Sequence, residues 1–270
     1  MLYIDPIIGE KVATALEISK TRLLAIESPR TLAQSFTRLV QNVSKDKQLT
    51  LSYAPSSPGA DQSQSKSGHP KKHNDVKSIE LFSGGLAYLR IDSFTRLSDS
   101  KAEFECAFQL VSDAEALVLD LSKNGGGNPD TVALVAGYLL GPDKEIAKLV
   151  DRKGVVLTTI RTPSTPSRFA GPIAVIVSPA TFSAGEGLAF FLQQQGRAEI
   201  VGQRTAGAAN PGRLEPITSH FQAFISETRV LEPKSGTNWE RGVSPDVKAS
   251  LGDSKRVAFS RARTALRGRH

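Results

Sequence analysis

Two short runs, ALVLDL at 116–121, apolar but for Asp120, and PIAVIVS at 172–178, most constrain what this chain can become. Each is too short to span a membrane and too uniformly apolar for a half-exposed strand, so each reads as a strand buried on both faces. A turn and then a helical pattern follow each run, at about Pro129 to Leu140 and Ser183 to Gln195, and AEIVG at 198–202 supplies a further strand. Alternation of this kind builds a mostly parallel α/β sheet, whose ligands bind where strand ends meet helix starts. Upstream, IELFSGGLAYLRIDSF gives two strand-like runs around Ser83, Gly84 and Gly85, a hairpin, and a helix follows from about Ser98 to Ser112.

The flanks differ in character. From about Ile7 to Val43 the pattern is helical and broken at Ser28 and Pro29, a pair suited to cap and begin a second helix. We therefore expect a small helical bundle with a short strand, LTLSY, over 1–53, and a flexible linker over 54–77, where Ser, Pro, Gly and Lys replace apolar residues. An α/β core over 78–250, with further strands between Leu214 and Val247, and a basic tail over 251–270 complete the organisation. Lys and Arg exceed Asp and Glu by 34 to 27, but the excess sits in the linker and in SKRVAFSRARTALRGRH, which reads as a solvated basic helix. No zinc-ligand spacing, phosphate loop or aromatic stacking motif accompanies that charge, so no metal, cofactor or nucleic-acid partner is expected. No apolar run approaches the ~20 residues of a membrane span, and MLYIDPIIGEKVA lacks the order of a signal peptide. The single cysteine, Cys106, lies in a helical pattern and is expected to be a buried thiol.

Two segments carry chemistry. In VSPATFSAGEGLAFFLQ a buried strand gives way to a helix at Ser183, so a hydroxyl stands where backbone N–H groups are unpaired and the helix dipole favours negative charge. Taken alone, Ser183 reads as readily as an ordinary helix cap. In LVLDLSKNGGGNPD three consecutive glycines follow a strand end, a nest whose N–H groups suit an oxyanion, or else a plain turn. Together they supply a hydroxyl and two donors, the Ala184 N–H and one from the glycine loop, which is what acyl transfer requires.

With these residues in hand the chain resembles the tail-specific, or C-terminal-processing, serine peptidases. VLDLSKNGGG is similar to that family's strand and Asp-Leu-Arg-x-Asn-Pro-Gly-Gly loop, with Ser122 for its arginine and Gly125 for its proline. TFSAGEGLAFFLQQQGRAEIVGQRTAGAANPG resembles the nucleophile helix, strand and Thr-x-Gly loop. SGTNWERGVSPDV is similar to the ending found in the branch of interphotoreceptor retinoid-binding protein, and no PDZ-like insert fits between the first helices and the core. The resemblance, from about residue 30 to 248, implies a crotonase/ClpP-like β-α-β core, Ser183 as nucleophile, and Gly126 and Ala184 at the oxyanion positions. It implies a peptide or protein substrate, or a small hydrophobic ligand as in the retinoid-binding relative, and a periplasmic or secreted setting.

Departures from the pattern bear on activity. The lysine base of one branch would fall at Ala208, and the histidine base of the other, typically in Asp-x-His-Leu, would fall at Gln48 in Asp46-Lys47-Gln48-Leu49. A carboxamide accepts no proton near neutral pH, so Gln48 could position Ser183 but not activate it. Glu240, after Trp239, matches the acid that orients that histidine, although ERGV is one residue shorter than the expected spacing. Glu186 reads as structural, one turn along the nucleophile helix. Of the histidines, His69 and His73 lie in the linker, His220 in the strand-like PITSHFQAFI, and His270 at the end. The sequence thus supports two expectations: a serine peptidase-like acyl hydrolase with an impaired base, or a non-catalytic module that keeps the cleft for a peptide or apolar ligand.

Overall fold

The computed structural model describes residues 3–54 and 74–268. The stretch expected to be a flexible linker falls almost wholly outside the described residues, as do His69, His73 and His270. In chain order the elements are α1 (Pro6–Leu24), α2 (Pro29–Ser44), β1 (Thr50–Tyr53), β2 (Val76–Phe82), β3 (Leu86–Ile91), α3 (Leu97–Leu110), β4 (Ala116–Asp120), α4 (Pro129–Leu140), β5 (Glu145–Val150) and β6 (Val156–Arg161). They continue with β7 (Ile173–Val177), α5 (Ala184–Gln194), β8 (Ala198–Gly202), β9 (Gly212–Pro216), β10 (Phe221–Ser226), β11 (Arg229–Leu231), β12 (Val247–Lys248) and α6 (Leu251–Arg267). A short sheet runs β11-β5-β6.

The chain divides into two compact units. The first takes its residues from Met1–Lys72, Leu149–Leu157 and Asn210–Val230. Its helices start as their sequence dictates: the Asp5 carboxylate accepts from the Ile8 N–H, the Ser28 hydroxyl accepts from the Thr31 N–H, and Pro6 and Pro29 open the first turns. Lys45, in the left-handed region at φ 62°, ends α2. α1, α2 and β1 fall where the helices and the short strand are expected, but the unit does not end at residue 53, because β1 is the edge of an antiparallel sheet ordered β1-β10-β9, pairing Tyr53 with Phe221 and Thr50 with Phe224. A lone strand cannot satisfy its own N–H and C=O groups, so the helix pair draws its sheet from a distant stretch of chain.

The second unit takes its residues from His73–Lys148, Thr158–Ala209 and Leu231–His270. Its sheet runs β12-β8-β7-β4-β3-β2, parallel throughout except for the β2–β3 hairpin. All five residues of β4 and all five of β7 are buried; every one is apolar except Asp120 at the end of β4, whose carboxylate accepts from the Tyr88 hydroxyl and the Ser122 N–H. Alternate residues of its strands share a core with the C-terminal helix. Leu86, Tyr88, Val118, Ile176 and Val201 pack with Ala258 and Ala262 of α6. The C-terminal tail expected to be solvated is therefore a covering helix. Its exposed arginines flank a buried stripe of small residues, Ser254, Ala258 and Ala262. Cys106 departs from expectation in the opposite sense: it is exposed, because α3 turns Ser100, Phe104, Ala107 and Phe108 inward. Among the described residues no helix is long and apolar enough to cross a membrane.

Candidate functional site

The site lies in the second unit, where β4 and β7 end side by side. Leu119 pairs with Val175 and Asp120 with Ile176, so the loop after β4 and the turn after β7 leave the sheet as neighbours. Hydroxyls then fasten one to the other. Thr181 Oγ1 donates to the Leu121 carbonyl at 2.8 Å, Ser178 Oγ to the Ser122 carbonyl at 2.5 Å, and the Phe182 N–H to the Asn124 carbonyl at 2.9 Å.

Ser183 is the N-cap of α5, but its backbone lies at φ 51° and ψ −118°. For a residue with a Cβ that region costs of order 1–3 kcal/mol, and it is the geometry of a sharp strand-to-helix turn that holds a side chain clear of its own helix. Ser183 and Ala184 are half-buried, while Gly185 and Glu186 behind them are fully enclosed. The glycine loop comes directly against this turn. A Cβ on Gly126, whose φ is +92°, would stand 2.9 Å from the Phe182 carbonyl oxygen, 2.9 Å from Ser183 Cβ and 3.1 Å from the Ala184 nitrogen. Only glycine permits that approach.

The structure therefore brings Ser183, Ala184 and Gly126 together. It also gives the Gly126 N–H an occupation: it donates to Asn124 Oδ1 at 2.8 Å. Asn124 is fully buried and spans the site, donating from Nδ2 to the Ile91 carbonyl at 3.1 Å, and its Oδ1 stands 2.4 Å from where a Gly185 Cβ would be.

Behind Ser183 lies a buried carboxylate. Glu186 Oε2 accepts from the Ser183 N–H at 2.8 Å, and Oε1 accepts from Thr205 Oγ1 and the Gly207 N–H, each at 2.5 Å. Burial pushes its pKa above the usual carboxylate range, against the pull of these donors. The Thr205 hydroxyl also accepts from the Val243 N–H at 2.7 Å. Trp239 closes this side: its indole N–H donates to the Ala208 carbonyl at 3.1 Å, and its ring meets Phe190, Phe191 and the position of a Gly187 Cβ. Glu240, half-buried, follows it, and its carbonyl crowds Gly207, which must be glycine at φ +86°. Ala208 is buried here with only a methyl group to offer.

Gln48 belongs to the first unit. Its carboxamide oxygen accepts from the Asn210 N–H at 3.1 Å, and its own N–H donates to Asp46 Oδ1 at 2.8 Å. Asp46 is buried and takes the Tyr3 and Ser226 hydroxyls on its other oxygen, which fixes the loop that carries Gln48. His220 is exposed in the same unit, its ring 6.2 Å from that of Tyr53. Three contributors were missed from sequence: Asn124, Thr205 and Glu186 in its buried, bridging form. The first two stood inside quoted motifs, but partner atoms decide their roles, not spacing.

Comparison with known proteins bears on this arrangement. The profile described as Peptidase family S41 matches residues 85–249, the stretch that holds the glycine loop, the nucleophile turn, the Thr205 loop and Trp239. A chloroplastic carboxyl-terminal-processing peptidase 3 of Arabidopsis thaliana is 27% identical over 165 residues, covering 61% of this chain and 32% of that protein. A carboxyl-terminal-processing protease of Picosynechococcus sp. is 29% identical over 171 residues, 60% of this chain and 38% of that one. The chain thus spans about a third of the length of these relatives. Among solved structures, a photosystem II D1 C-terminal processing protease superposes with a TM-score of 0.55 at 25% identity, covering 80% of this chain and 53% of that one. A lipoprotein from Streptococcus agalactiae shares the fold along nearly its whole length, with a TM-score of 0.62 at 17% identity over 98% of this chain and 91% of that one. With the profile covering more than half of the chain and the serine turn at its centre, this protein belongs to peptidase family S41.

Proposed function

We propose that the chain is a serine peptidase-like acyl hydrolase whose proton-accepting partner is impaired. The observation that carries this reading is the backbone of Ser183, strained at φ 51° and packed against a glycine whose Cβ would overlap it. A serine that only capped its helix would need neither feature. In the proposed reaction Ser183 Oγ attacks a peptide carbonyl and the Ala184 N–H receives the developing oxyanion; the C–N bond then breaks, and the Ser183 proton passes through solvent, for want of a side-chain base, to the departing amine. The Gly126 N–H becomes the second donor when it turns from Asn124 Oδ1 to the substrate oxygen. Water then releases the acyl group. The substrate is a peptide or protein segment, bound extended.

Gln48 and Ala208 are the reason to call the base impaired, and they also support a second reading, a pseudoprotease that binds a peptide or apolar ligand without cleaving it. General-base catalysis contributes roughly 10²–10⁴-fold, so Gln48→His is expected to raise peptide hydrolysis by about that factor, dependent on Ser183. The gain should shrink in a Glu240→Ala background, where nothing orients the imidazole. The test compares hydrolysis and fluorophosphonate labelling by the original chain, Gln48→His, and Gln48→His with Ser183→Ala. Fast Ser183-dependent hydrolysis by the original chain, unchanged by Gln48→His, would refute the impaired-base account. Saturable peptide binding without labelling in any variant would favour the pseudoprotease.

A further inference from the structure

We infer that Glu186 and Thr205 form a brace that holds Ser183 in its strained backbone conformation, which makes both of them positioning residues for the nucleophile. The inference rests on the nucleophile reading above and adds the device that maintains it. Glutamate three residues after a helix cap commonly accepts the cap residue's N–H, and it does so equally well at a surface. Glu186 instead has no exposure at all. Taking a carboxylate out of water is expensive unless its oxygens are fully engaged, and here they are divided between two segments. One oxygen holds the Ser183 N–H at 2.8 Å, and the other holds Thr205 Oγ1 and the Gly207 N–H.

Thr205 extends the brace. Its hydroxyl hydrogen goes to Glu186 while its lone pair takes the Val243 N–H at 2.7 Å, and its own N–H donates to the Val243 carbonyl at 3.2 Å. One carboxylate and one hydroxyl therefore connect three stretches of chain: the turn at 183, the loop at 205–207 and the segment after Glu240. A peptide unit at φ 51° relaxes unless its surroundings over-determine it. The bond to the Ser183 N–H fixes the peptide plane on one side, and the Gly126 contact blocks movement on the other.

The test uses the full chain with Glu186→Gln, Thr205→Val and Thr205→Ser. Thr205→Val keeps shape and removes only the bridging hydroxyl, so it serves even if Glu186→Gln fails to fold. Two quantities are read: amide hydrogen exchange at Ser183 and Gly207, and the rate of fluorophosphonate labelling at Ser183 per folded molecule. Loss of one hydrogen bond to a charged group predicts exchange faster by about 10-fold or more at both amides and labelling slower by about 10–100-fold in Thr205→Val. Thr205→Ser should restore both, and KM for a peptide should change less than kcat. Unchanged exchange and labelling in folded Thr205→Val would overturn the brace. If neither the original chain nor Gln48→His takes label at Ser183, the nucleophile reading fails, and the exchange comparison alone upholds or overturns the brace.

Discussion

Gly126 shows how little room a single position can leave. Adding a methyl group there requires both a left-handed φ of +92° from a residue with a Cβ and displacement of the Phe182 carbonyl and Ser183 Cβ, each 2.9 Å away. Gly126→Ala is expected to cost about 1–3 kcal/mol in urea unfolding and to abolish Ser183 labelling in the molecules that remain folded. Gly125, one residue earlier, meets nothing within 4 Å, so Gly125→Ala is the control that should leave labelling nearly unchanged. At this scale the sequence was legible where a residue type is forced by backbone geometry: Ser183 at a strand-to-helix junction, and glycines where chain meets chain. It was silent where the outcome depends on partners. Nothing in the spacing of Asn124 tells that its side-chain oxygen would take the Gly126 N–H, and nothing in Glu186 tells that it would lie buried between two loops.

Among the elements, α6 was read as a helix but not as a packed one. Its arginines suggested a solvated helix, yet Ser254, Ala258 and Ala262 lie at i, i+4 and i+8 and form a narrow seam against the sheet. Small residues give a weak hydrophobic signal, but they let a helix approach a sheet closely. Phe259 flanks the seam, stacked on Tyr88 and edge-on to Phe82. Ala258 has no exposure, so Ala258→Leu inserts three carbons into a closed space and is expected to lower stability by about 1–3 kcal/mol, read as a shift in the urea midpoint. Thr264→Leu, on the exposed side, should shift it little. By contrast β4, β7 and α5 were legible nearly to the residue, because burial along almost the whole element demands a mostly apolar run, broken among the buried residues only by Asp120 and Glu186, and leaves a pattern with few alternatives. β5 and β6 escaped notice, since β6 is largely exposed and its sequence carries neither a clean alternation nor an apolar run.

On the scale of the molecule, the sequence reading drew domain limits as cuts along the chain, whereas the first unit is assembled from three separate stretches. Hydrophobic pattern reports whether a segment is buried, not which distant segment buries it. A chain ending at Ala54 retains α1, α2 and β1 but has neither β10 nor β9 to pair with, so it is expected to show no cooperative urea transition by circular dichroism. A sharp transition in that fragment would restore the simpler boundary. The same discontinuity sets a timetable for biosynthesis. Ser52 on β1 and its hydrogen-bond partner Gln222 on β10 are 170 residues apart. At roughly 5–20 residues per second of translation, the ribosome releases β10 about 10–30 seconds after β1. For that interval the nascent strand is an unfinished sheet edge, open to chaperones or to a neighbouring nascent chain.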